Sequence, residues 1–263
     1  MPNFEKFNLS KSRQFLEKNK DFIDSKAEEV QNEIETLSED FNAENIPVDN
    51  RCGINMKAYK DKYAPEKLEK DYKYIEKAEK EFARIEGLTV EQWKKSKDKR
   101  NGERFEQLKT VILNRNFETP NIIAIRASDY DDYKNSIDNI IINKNTGDII
   151  CALDAIANDK NSKRYKEKEE KIKEINEKGG AKLKYGITFE DDKPVLKEIK
   201  GVNIFILSLS SRELYEALKN FGSGKFENKL FKEFGKQAIE QLQKLPSNVP
   251  QSVKENWITI LKN

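Results

Sequence analysis

The sequence predicts an α/β protein, with a mixed central sheet flanked by helices and preceded by an N-terminal helical arm. Three observations predict it. Through the first hundred residues, apolar side chains recur at helical spacing. Between residues 121 and 153 that period gives way to short apolar runs at 121–127, 137–142 and 149–153. Beyond them, strand-like runs alternate with amphipathic stretches, the pattern of a sheet covered by helices. The expected division is a helical arm over 1–100 and an α/β domain over 101–263.

In the arm, Leu16, Ile23, Val30 and Leu37 repeat every seven residues, with Ala27 and Ile34 at the intermediate offset, so one long amphipathic helix spans about 10–41. Pro47 and Gly53 mark residues 42–64 as a connector. Pro65 suits a helix first turn, and Leu68, Tyr72, Ile75, Phe82 and Ile85 carry that helix to Gly87. Thr89 is placed to cap a third helix. Residues 1–50 hold 6 basic and 12 acidic side chains and residues 51–100 hold 15 and 10, so two helices of opposite charge are expected to pair as a hairpin or to offer the basic one to a polyanion. Gly102 marks a break, after which Phe105, Leu108 and Ile112 form the apolar face of a helix that carries Glu103 and Glu106 on one side.

The runs at 137–142 and 149–153 flank Asn145-Thr146-Gly147-Asp148, whose glycine suits a loop residue with positive φ, so they form an antiparallel hairpin. A lysine-rich helix follows to Gly179-Gly180. Weaker strands lie at 183–189 and 194–199, and a clear one at 202–209 ends in Ser210-x-x-Glu213, a capping box opening a helix. Gly222-Ser223-Gly224 separates that helix from an amphipathic one carrying Phe226, Leu230, Phe231, Phe234, Ala238 and Leu242, and a last helix is expected through Val253, Trp257, Ile258 and Leu261.

Composition removes several chemistries. With His 0, catalysis by Ser-His-Asp or Cys-His groups and His-ligated zinc are excluded. The two cysteines, Cys52 and Cys151, form no CxxC pair and read as reduced thiols of a cytoplasmic protein. No apolar run reaches membrane-span length, and residues 1–14 lack the apolar core of a secretory signal, so a soluble chain without a membrane partner is expected.

What remains is carboxylate chemistry. Seven aspartates crowd residues 128–159, with Asp129, Asp131 and Asp132 before the hairpin, Asp138 at the start of its first strand and Asp154 at the end of its second. Antiparallel pairing places start beside end, so these acids are able to converge. The plainer alternative is that Asp129, Asp131 and Asp132 cap a turn while Asp138 and Asp154 end strands. Tyr130 and Tyr133 either stack on a base or pack the hairpin.

Helix acids at Glu103 and Glu106, a strand, Asp138, a hairpin, Asp154, a basic helix and a further strand resemble in their order the core of the PD-(D/E)XK nuclease superfamily, over about residues 100–215. The layout of SDYDDYKNSIDNIIINKNTGDIICALD with GGAKLKYG is also similar to uncharacterised bacterial proteins of that fold. The resemblance implies a restriction-endonuclease-like domain and a hydrolase binding Mg²⁺ or Mn²⁺, with Asp138 and Asp154 as metal ligands and Glu103 or Glu106 as the third acid, and Asp132 is counted among the candidate metal residues with them. Where the family places its lysine this chain has Ile156, so the resemblance passes that role to Lys160 or Lys163. The implied function is a metal-dependent nuclease acting on DNA or RNA. The alternative is a catalytically inactive nuclease-like domain that binds nucleic acid, or a protein partner through the helical arm.

Overall fold

The computed structural model describes residues 20–245, together with 251, 254–255 and 258–259. Leu16 and most of the expected last helix, including Val253, Trp257 and Leu261, lie outside the described residues. The chain is mixed α/β. No described helix is long and apolar enough to cross a membrane.

Helix α1 (Lys20–Ala43) buries Ile23, Ala27, Val30 and Ile34 of the stripe that the heptad spacing predicts, leaves Leu37 part-buried, and buries Phe41 beyond it. It packs along α4 (Asn101–Asn116) and α7 (Ser211–Lys219), and the expected pairing of α1 with the lysine-rich helix that Thr89 opens does not form. The reason is that α4 offers apolar surface on several sides, with Phe105, Leu108, Val111, Ile112 and Leu113 all buried. Gly102 lies inside the first turn of α4 instead of breaking the chain before it. Helix α2 (Pro65–Ile85) instead packs on α3 (Val90–Lys95) and on α5 (Asp129–Asn135). The capping box at Thr89 is present, with Gln92 answering it.

Residues 42–64 are more ordered than a connector. They hold a 3-10 turn at Met56–Asp61 and border the sheet: Ile54 N–H donates to the Arg126 carbonyl (3.0 Å) and Arg126 N–H to that of Cys52 (2.9 Å). The hydroxyls of Tyr59 and Tyr63 donate to the carbonyls of Gly186 and Lys184, each at 2.7 Å. One buried cluster therefore runs from Ile23 through Tyr59 to Leu242, across the expected boundary near residue 100.

The main sheet has the order β1-β2-β3-β6: β1 (Ile122–Arg126), β2 (Asn139–Asn143), β3 (Ile149–Ile156) and β6 (Ile204–Ser208). The first three are antiparallel neighbours, and β6 lies parallel to β3. The return from β3 to β6 is made by α6 (Lys163–Glu177) and a two-stranded ribbon, β4 (Ala181–Glu190) with β5 (Lys193–Val202), both strands longer than their apolar runs suggested. Gly147 in the β2–β3 turn has φ +72, and a Cβ there would stand 2.2 Å from the Phe189 carbonyl oxygen, so both backbone and space require glycine.

Both sheet edges are closed by side-chain amides. On β6, Gln241 bridges the N–H and carbonyl of Ile206 (2.8 and 2.7 Å), Gln237 those of Ser208 (2.9 and 3.2 Å) and Asn176 those of Ile204 (2.9 and 2.8 Å). On β1, Asn114 does the same for Ala124 (3.0 and 2.9 Å). Gln237 and Gln241 stand one turn apart on α8 (Gly224–Leu242), so the helix that covers the edge also supplies its hydrogen bonds.

Candidate metal centre

The site is built where α4, the entry to β2 and the end of β3 meet. On α4, Glu103, Glu106 and Lys109 follow one another at intervals of three and share a face. In β2 and β3, Asn139 pairs with Leu153, so the register carried back one residue sets Asp138 opposite Asp154. The Asp138 amide donates to the Leu153 carbonyl (2.9 Å), and Asp138 Oδ2 accepts from the Ala155 amide. Lys109, with no solvent exposure, places its ammonium 3.5 Å from the same oxygen.

The segment expected to be a turn is helix α5, capped by Ser128 and closed by Ser136 in the left-handed conformation. Its three aspartates have three different tasks. Asp131 is wholly buried and accepts from the amides of Lys184 (2.8 Å) and Tyr185 (2.9 Å), from the Asn135 side chain (2.7 Å) and from the Ser128 hydroxyl (2.9 Å), tying α5 to β4. Asp129 is exposed and meets Lys97 at 3.4 Å. Asp132 turns toward α4 and the start of β2, and its carboxylate takes part in no hydrogen bond or ion pair among the described residues.

Glu106, Asp132 and Asp138 thereby form a trio whose nearest carboxylate oxygens all lie within 4.8 Å of one another. Crowding is visible in their protonation. Burial first, then the charge of Asp138, pushes Glu106 up to about 7, with Arg126 offsetting only part of the rise. Burial and the charges of Glu106 and Asp138 likewise hold Asp132 well above the usual carboxylate range. Arg126 of β1 forks between two glutamates, 2.6 Å from Glu106 Oε2 and 2.7 Å from Glu103 Oε1. Although burial opposes it, that contact holds Glu103 down at about 2. Oxygen ligands at this spacing suit a hard divalent cation such as Mg²⁺ or Mn²⁺, and Arg126 and Lys109 act as outer partners that fix the carboxylates.

Asp154 stands behind the trio rather than in it. Its carboxylate is wholly buried; Lys168 Nζ lies 2.8 Å from Oδ2, while Oδ1 has no hydrogen-bond partner among the described residues. Burial and the charge of Asp138 push it up to about 7 against the opposing pull of Lys168 and Lys109. Ile156, two residues on, is buried in the core.

Besides Asp154, three expected site residues lie apart from the trio. Glu103 does not join the trio, because Arg126 and Gln107 (3.1 Å) occupy its carboxylate. Lys163 opens α6 pointing into solvent, 3.5 Å from Glu167, and Lys160 is exposed before the helix begins, so neither reaches the acids. Five residues separate Lys163 from Lys168, which turns the latter about 140° around the helix and toward Asp154. Tyr130 packs edge-on against Tyr185 (5.7 Å) and Tyr133 against Phe82 (5.4 Å), so neither is a free stacking platform.

The trio lies in the wall of a cleft of about 630 Å³. Its other walls come from residues 49–57, from α2 through Tyr72, Ile75, Glu76 and Glu79, and from Lys94 and Lys97. Most of the cations there already face carboxylates: Lys94 meets Glu79 at 2.8 Å, Lys97 meets Asp129, and Arg51 meets Asp98 at 2.8 Å. Comparisons with protein-family models, with characterised proteins and with solved structures returned no match.

Proposed function

We propose that this chain is a divalent-metal-dependent phosphodiesterase of restriction-endonuclease-like fold, cleaving nucleic acid at the trio of Glu106, Asp132 and Asp138. The observation that carries the reading is the convergence of three carboxylates within 4.8 Å at the edge of a cleft, one of them without a protein partner. A bound Mg²⁺ or Mn²⁺ supplies an acidified water and charge neutralisation at a phosphoryl oxygen. The chain's own groups hold the reactants. Arg126 orients Glu106, and the Ala155 amide with Lys109 orients Asp138. Lys168 beside Asp154 is the cation best placed to do the work of the lysine that the resemblance expects at Ile156.

The test is cleavage of labelled single- and double-stranded DNA and RNA with Mg²⁺ or Mn²⁺. Wild type is expected to cut at least one of them, and Asp138→Asn and Asp132→Asn to lose at least about a hundredfold in rate. Wild type no faster than Asp138→Asn on every substrate and with both ions rejects the enzymatic reading. Salt-sensitive binding without cleavage would favour the inactive nucleic-acid-binding alternative, which rests on Ile156.

A further inference from the structure

The cleft limits what such a site accepts. We infer that it takes one or two nucleotides at a free strand end, not the interior of a duplex. The inference rests on the phosphodiesterase reading and adds the substrate class. About 630 Å³ falls within the range of small-molecule sites, roughly 300–1,000 Å³, where a duplex-binding protein presents an open groove.

Charge points the same way. The cleft is lined by seven carboxylates and five cations, leaving two formal negative charges, which one divalent ion neutralises. Of those cations only Lys57 has no carboxylate partner among the described residues. A protein that follows a phosphate backbone needs a run of unengaged cations. Here a single phosphate meets a metal-neutralised site and finds little to hold its neighbours.

Part of the lining is apolar and suits a base. Ile54 and Met56 from the connector and Ile75 from α2 line it, beside the half-exposed Tyr72. Tyr72 is the aromatic residue open to a stacking partner there, in contrast to the packed Tyr130 and Tyr133.

Cleavage by the full chain with Mn²⁺ is to be measured on a dinucleotide, a linear single-stranded 20-mer, the same strand circularised, and closed circular duplex DNA. The expected result is cleavage of the dinucleotide and linear strand, with both circles at least about tenfold slower per phosphodiester. Tyr72→Ala should raise the dinucleotide KM by at least about fivefold with kcat retained, since base stacking supplies binding. Circles cut as fast as the linear strand overturn the inference and leave the phosphodiesterase reading standing. Cleavage of nothing above the Asp138→Asn background rejects that reading, and this inference with it.

Discussion

Glu106 shows how the site is held at the scale of single residues. Burial and Asp138 favour its protonated form, while Arg126 favours the charged one. In the folded chain both Glu106 and Asp154 bind a proton up to about pH 7, whereas the unfolded chain releases it near the ordinary carboxylate value. The folded state therefore binds more protons between those limits, and without divalent ion its stability falls as pH rises toward and through 7. Over that whole range the fall is on the order of 3–4 kcal/mol per group. Urea unfolding in EDTA should give a lower midpoint at pH 8 than at pH 6, and Glu106→Gln should flatten that difference; an unchanged slope would contradict the assignment. Arg126 gives a second prediction. Arg126→Met strands the buried Glu103 and the part-buried Glu106 and is expected to destabilise by about 3–5 kcal/mol in the same measurement.

Much of this was legible in the sequence, and what was not has a physical reason. The i,i+3 spacing of Glu103 and Glu106 and the facing positions of Asp138 and Asp154 follow from helix and hairpin periodicity. Which glutamate joins the trio depends on where α4 docks against α5 and β2, and spacing within α4 carries no information about it. Lys109 was hidden inside an apolar run, although extending the interval from Glu103 and Glu106 by three more residues reaches it. Asp132 was among the expected metal residues, but the separate tasks of Asp131 and Asp132 were not legible, because only the helical form of DYDDYKN sets them on different sides.

Among elements, the lesson lies in the edges and the connector. An edge strand exposes unpaired backbone groups, and β6 meets this with amides from α6 and α8. Gln241→Leu keeps the bulk but leaves the Ile206 amide and carbonyl unpaired, so a loss of about 1–3 kcal/mol is expected by thermal or urea unfolding. No pattern in the α8 sequence announces this, because glutamine one turn apart is ordinary on a solvated helix. Residues 42–64 lack periodicity for a similar reason: their order comes from pairing with β1 and from two tyrosine hydroxyls on β4, contacts more than 60 residues away.

For the whole molecule, the helical first hundred residues are part of the site's architecture. Residues 49–57 and α2 supply walls of the cleft whose acids come from α4, α5 and the start of β2, and one apolar core joins them. The α/β class and the element order were readable from changes of period. The placement of α2 over α5 was not, because the charge contrast between residues 1–50 and 51–100 suggested only a helical hairpin within the arm. The proposed centre holds one divalent ion between Glu106, Asp132 and Asp138. Calorimetric titration with Mn²⁺ tests it most directly: wild type should bind one ion per chain, and Glu106→Gln, Asp132→Asn and Asp138→Asn should each weaken binding by at least about tenfold while the fold is retained. Equal Mn²⁺ affinity in wild type and all three variants would contradict it.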